Sequence, residues 1–179
     1  MNSKVPNGIL ANQFWIDAKA YVEAAEILIK SATPSISQPI YFLLGHALEL
    51  TLKAYLLAKD VSPDYLFEIK HDLIKAHARA SQLGLQVKGE HAAALIERLS
   101  DFHNAFIFRY PVLTKDERRL VLRGHLVEAS EILDFVASIC AQAHGTVLFA
   151  RIDAANAGEF PVETWHMGFP EECDPNQEK

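Results

Sequence analysis

His46, Glu49 and Lys53 interrupt the otherwise apolar run YFLLGHALELTLKAYLLAK, residues Tyr41–Lys59. Spacings of three and then four residues stack them on one side of a helix. An imidazole, a carboxylate and an ammonium on one stripe can line a groove between helices, where Lys53 meets a phosphate. The plainer reading is an intrahelical Glu49–Lys53 pair, stabilising by about 0.2–0.5 kcal/mol, beside an exposed His. His71-Asp72 can extend the groove: His71 is able to hydrogen-bond to Glu49 or to a ligand, while Asp72 suits the N-cap of the next helix better. Arg109-Tyr110 falls at a helix C-terminus, where the helix dipole favours a cation. With a ligand present, Arg109 would read a phosphate bidentately and Tyr110 would stack on a base. These seven residues, His46, Glu49, Lys53, His71, Asp72, Arg109 and Tyr110, form the expected ligand-binding set.

Metal-free RNA cleavage needs a general base or acid near the 2′-hydroxyl and a cation on the phosphate. Arg98 and His103 supply both types and are the candidate catalytic pair. On one straight helix, positions five apart point about 140° from each other, so a twofold dimer would have to join two copies across a cleft. Arg118, Arg119 and Arg123, with Lys115 nearby, are the densest basic cluster. Asp116 and Glu117 balance it, which favours a solvated helix face over a nucleic-acid contact. Cys140 and His144 are four apart on a helix, and His166 and Cys173 follow, without the tight paired spacing of a zinc motif. No metal and no cofactor are expected. The chain has no phosphate-binding glycine loop, no nucleophilic serine motif and no paired carboxylates in a recognisable arrangement.

Those residues must be held by helices. The 179-residue chain is half hydrophobic and about a fifth charged, a globular composition long enough for one sizeable core. A net charge of −6 excludes a global basic field for long nucleic acid but leaves room for a local basic patch. Two cysteines make no disulfide framework, and no signal peptide is evident, so a cytoplasmic location is expected. Residues 40–58 are apolar enough to raise the question of a membrane span. Glu49 and Lys53 in its middle would each cost roughly 2–3.5 kcal/mol there, and no membrane association is expected.

The periodicity predicts a first helix over about Leu10–Ser31, with Phe14, Ala18, Tyr21, Ala25 and Leu28 inward. Pro34 stops it. A second helix starts near Ser37 and runs to Lys59, its seam Leu43, Ala47, Leu50, Ala54 and Leu57. Tyr65–Ile69 makes one short helical turn. Asp72 caps a third helix with Leu73, Ala76, Ala80 and Leu83 inward, stopped by Gly84. A fourth spans about Glu90–Phe108, with Ala92, Leu95, Leu99, Phe102 and Phe106 on one face. A fifth spans Asp116–His144 along Leu122, Leu126, Ala129, Leu133, Val136, Cys140 and Ala143. With no period-two strand pattern, the expected fold is an all-α, antiparallel up-and-down bundle of about five helices. The bundle is expected to occupy 1–145. Residues 146–179, rich in Gly, Pro and acidic residues, are expected to form a tail that packs on the bundle or on a partner through Phe149, Phe160, Trp165 and Phe169, its end disordered.

Four landmarks then appear in order: HALELTLKAYLLAKD (His46–Asp60), KHDL (Lys70–Leu73), a polar-amphipathic helix, and FRYP (Phe108–Pro111). The set resembles the HEPN family of small helical-bundle domains over about Leu10–His144. That resemblance implies a homodimeric bundle. Many family members are RNA-cleaving or RNA-binding toxins paired with a small nucleotidyltransferase antitoxin, and others are non-catalytic binding modules. Ribonuclease members carry an Arg and, four to six residues later, a His. Arg98/His103 meets that spacing, as does His125 with Arg118 or Arg119. Leu99 follows Arg98, however, where a polar residue is usual, and Ala105 stands where a Tyr follows the His. The expected function is a nucleotide- or RNA-binding module acting with a partner protein, without strong catalysis. The alternatives are a metal-independent ribonuclease toxin and a structural dimerisation domain.

Overall fold

The computed structural model describes residues 5–31, 37–87, 92–104 and 128–158, and every regular element among them is helical. In chain order these are α1 (Asn7–Lys30), α2 (Ser37–Ala58), α3 (Pro63–Ile69), α4 (Leu73–Gln82), α5 (Ala92–Asn104) and α6 (Ala129–Asn156). The all-α helical bundle expected from the periodicity is present.

α2 is the hub and touches α1, α4, α5 and α6. The single seam expected for it was too narrow. Leu43 and Leu50 are only half-buried, whereas Leu44, Leu48, Leu52 and Leu56 are fully covered. A helix surrounded on several sides is apolar all round, so its sequence periodicity selects no face. α1 packs through small residues, Ala11, Ala18 and Ala25, which recur every seven positions and let its backbone come close. Phe14, Tyr21 and Leu28 flank that line and lean on the core.

α6 buries Ile132, Phe135, Val136, Ile139, Cys140, Ala143 and Val147. It does not stop at Gly145. The helix continues to Asn156, so the boundary placed at residue 145 falls inside an element, and residues 146–156 belong to the bundle. One interior Gly disfavours a helix by only about 1 kcal/mol. Here α1 packs alongside: Trp15 Nε1 donates to the Cys140 carbonyl at 2.9 Å, and its ring stacks on His144 at 4.2 Å. Gly8 meets the backbone of Ala150 further along. Phe149, expected to pack, is 70% exposed on this helix.

Short helices are fixed by their caps. The Ser62 side chain accepts from Tyr65 N at 3.3 Å, and Pro63 opens α3. Asp72 accepts from Lys75 N at 3.0 Å and starts α4, which Gly84 ends at φ +100°. Within α5, Ala92, Leu95, Ile96 and Leu99 are buried. Expectations that involve Pro34, Glu90, Phe106, Arg109, Tyr110, the 115–123 basic cluster, His125, His166, Cys173 or the end of the tail lie outside the described residues. By length and composition, residues 39–58 of α2 and the whole of α6 are able to cross a membrane. Neighbouring helices cover most of the α2 stretch and less of α6.

A methyl group at Gly8 would collide with the Ala150 carbonyl, a backbone atom that cannot swing away. Gly8→Ala is therefore expected to lower stability by about 1–3 kcal/mol, despite the better helix propensity of Ala. Chemical denaturation of the two proteins checks this.

Candidate functional site

Glu49 is 3% exposed in the middle of α2, and a carboxylate that deeply buried must be matched by donors. Four side chains surround it. Lys53, one turn along α2, donates to Oε1. His71 Nδ1 lies 3.1 Å from both carboxylate oxygens. His103 Nε2, from α5, lies 2.6 Å from Oε2. His46 Nδ1, one turn earlier on α2, stands 3.7 Å from Oε2, beyond hydrogen-bond range.

Each partner has a local cause. His46 and Lys53 follow from helical spacing alone. The His46 ring is fixed by the edge of Tyr21 at 4.8 Å and a stacked Phe42 at 5.9 Å. His71 is delivered by a tight turn, Ile69–Asp72, closed by Asp72 N donating to Ile69 O at 2.9 Å. Lys70 occupies the first central position of that turn at φ 50°, ψ −109°, the type II′ geometry that favours glycine. The chain accepts strain at Lys70 and thereby places His71 against the carboxylate one residue before Asp72 caps α4. His103 arrives on the buried face of α5, together with Ile96, Leu99 and Ser100. Its imidazole fits because residue 45 has no side chain: a Cβ there would sit 3.1 Å from His103 Nδ1.

Electrostatics follow from this packing. Burial alone would push the Glu49 carboxyl up. The opposing neighbours His103, His46 and Lys53 together outweigh burial and hold it far below the ordinary carboxylate range. Glu49 is thus an anion inside the bundle. Burial also raises Asp72, but the Lys75 backbone N–H and ammonium, the latter at 3.1 Å, bring its carboxyl below normal. Asp72 acts as a cap and faces Lys75 rather than Glu49.

Of the seven expected ligand-binding residues, His46, Glu49, Lys53 and His71 converge, Asp72 adjoins them, and Arg109 and Tyr110 lie outside the described residues. The Glu49–Lys53 pair does form, but it is buried and not a surface feature. Arg98 and His103 are not brought together within the chain: Arg98 is exposed, while His103 is buried on Glu49. His103 as a Glu49 partner was not among the expectations from sequence. Two signals pointed to it, a glycine inside a Leu-rich helix and a His in phase with the α5 core positions. Cys140 and His144 make no metal pair with each other, since Cys140 is buried, its thiol pushed up by burial, and His144 stacks on Trp15.

One donor atom from each of His46, Glu49 and His103 lies within 4.8 Å of the others, close enough for a single cation to touch all three. A groove of about 520 Å³ between α1 and α2, lined by Asp17, Tyr21, Leu43 and Leu50 among others, reaches His46 from outside. Set against known proteins, the chain matches no family model, no curated protein and no solved structure.

Replacing the central anion leaves its cationic and N–H partners facing one another. Glu49→Gln is expected to lower stability by about 3 kcal/mol, measured by urea denaturation at neutral pH. Relieving the turn should act the other way. Lys70→Gly is expected to be neutral or to stabilise by up to about 1 kcal/mol, in contrast to Gly substitution at an ordinary helical position.

Proposed function

We propose that this protein is a HEPN-like helical module that binds a nucleotide or short RNA and acts with a partner protein in the cytoplasm. Support for the bundle type comes from α1 and α6: Gly8 lies against Ala150 and Trp15 against Cys140, so the chain runs in opposite directions in the two helices. α2 and α4 meet in the same sense, His71 at Glu49 and Leu83 at Tyr55, with α3 as the short return between them. An up-and-down plan accommodates that arrangement.

The observation that carries the functional reading is the convergence of His46, Glu49, Lys53 and His71, two landmark segments of the resemblance, on one polar centre with a surface edge at His71. That edge continues into exposed Lys75 and Arg79, which lie one helical turn apart on α4. Exposed Lys70 adds a third cation, and Phe67, 77% exposed on α3, offers a face on which a base can stack. On a chain of net charge −6 these cations, Lys75 among them paired with Asp72 at 3.1 Å, and the exposed aromatic on the preceding helix are the features that would suit a short ligand. The dimerisation reading has its own observation: Ile16 on α1 and Leu148, Phe149 and Ile152 on α6 are exposed apolar side chains that a second copy would cover.

Fluorescence polarisation with a labelled oligoribonucleotide, and competition by mononucleotides, tests the reading. Wild type is expected to bind with affinity that falls steeply with salt. Lys75→Glu/Arg79→Glu and Phe67→Ser, all at exposed positions, should each weaken binding by about tenfold. No binding at low salt, or variants indistinguishable from wild type, would overturn it.

A further inference from the structure

The polar centre holds one more imidazole than its hydrogen bonding uses. Lys53, His71 and His103 already supply donors to both Glu49 oxygens. His46 Nδ1 is aimed at the same carboxylate, is buried and has no hydrogen-bond partner among the described residues. Orphaned buried polar atoms are rare in folded proteins and call for a reason. The aromatic contacts of Tyr21 and Phe42 hold this one in place.

We propose that His46, Glu49 and His103 form a binding site for a divalent transition-metal ion of the zinc type, with His71 beside it on the same carboxylate. Imidazole nitrogens and one carboxylate oxygen are a zinc donor set. Zinc bonds of about 2.0–2.1 Å place tetrahedral ligand atoms roughly 3.3–3.4 Å apart. From Glu49, the donors of His103, His71 and His46 stand at 2.6, 3.1 and 3.7 Å. The distances to Glu49 lie on either side of the required one, and the donor atoms of His46, Glu49 and His103 all lie within 4.8 Å of one another. The two carboxylate oxygens already divide the roles. Lys53 holds Oε1, while Oε2 faces His103 and His46. Lys53 is thus a positioning residue that orients the ligating carboxylate, as outer-shell partners of metal sites do. The centre is close to solvent on two sides: the His71 side chain is 37% exposed, and the His46 ring lines the α1–α2 groove. The short His103–Glu49 contact satisfies two of the proposed ligands with each other.

This inference stands apart from nucleotide binding, because its readout is the ion alone. The test is calorimetric titration of the metal-stripped full-length chain with Zn²⁺, with Co²⁺ absorption and X-ray absorption as spectroscopic probes. One zinc per chain is expected, with visible bands of four-coordinate Co²⁺ and about two nitrogen neighbours around the metal. The melting temperature should rise by roughly 5–10 °C with zinc a hundredfold above its Kd. His46→Ala and His103→Ala should each weaken zinc binding by about tenfold or more, while His77→Ala, outside the cluster, binds as wild type. Absence of saturable binding, affinity unchanged in His46→Ala and His103→Ala, or an oxygen-only six-coordinate shell would each overturn the proposal. The wild-type spectra decide the matter even where a variant fails to fold.

Discussion

A single negative charge inside the bundle organises the rest of the molecule. Glu49 sits at the centre of α2, where an unpaired carboxylate would be strongly disfavoured. Its donors come from three separate parts of the chain: α2 itself, the turn before α4, and α5. Two unusual backbone choices serve it directly. Gly45 leaves room for His103, and Lys70 adopts a glycine-like conformation that swings His71 inward. The polar centre therefore links α2, the turn before α4 and α5 through one carboxylate.

The same arrangement makes the site different from the pair of residues that a local motif suggests. Arg98 and His103 share a helix, yet helical geometry points one to solvent and the other to Glu49. A histidine hydrogen-bonded to a buried carboxylate is fixed in orientation, with a polar partner one would expect in either a binding centre or a metal cage. Exposed side chains lie instead beyond His71, with Lys75 and Arg79 on α4 and Phe67 on α3.

The α1–α6 contact shows a second constraint, steric where the first is electrostatic. Gly8 is small because the Ala150 backbone of α6 approaches there, and Ala11, Ala18 and Ala25 are fully buried along the same helix. This close packing carries α6 past Gly145 to Asn156. Composition after residue 145 does change, but composition reports what a segment contains and not whether a neighbour covers it.

Much of the molecule was legible in residue order. Helical periodicity, the Asp72 cap, the Gly84 stop and the His46–Glu49–Lys53 stripe all depend on neighbours within about one helical turn, and such relations are written locally. Which face of α2 is buried was not legible, because a helix apolar on every side has no preferred direction. Nor was the histidine cage, whose members lie at positions 46, 71 and 103 with no motif spacing among them. Only the crossing of α5 and the turn before α4 against α2 brings those imidazoles onto one carboxylate, since a contact between distant segments is decided by packing and not by adjacency.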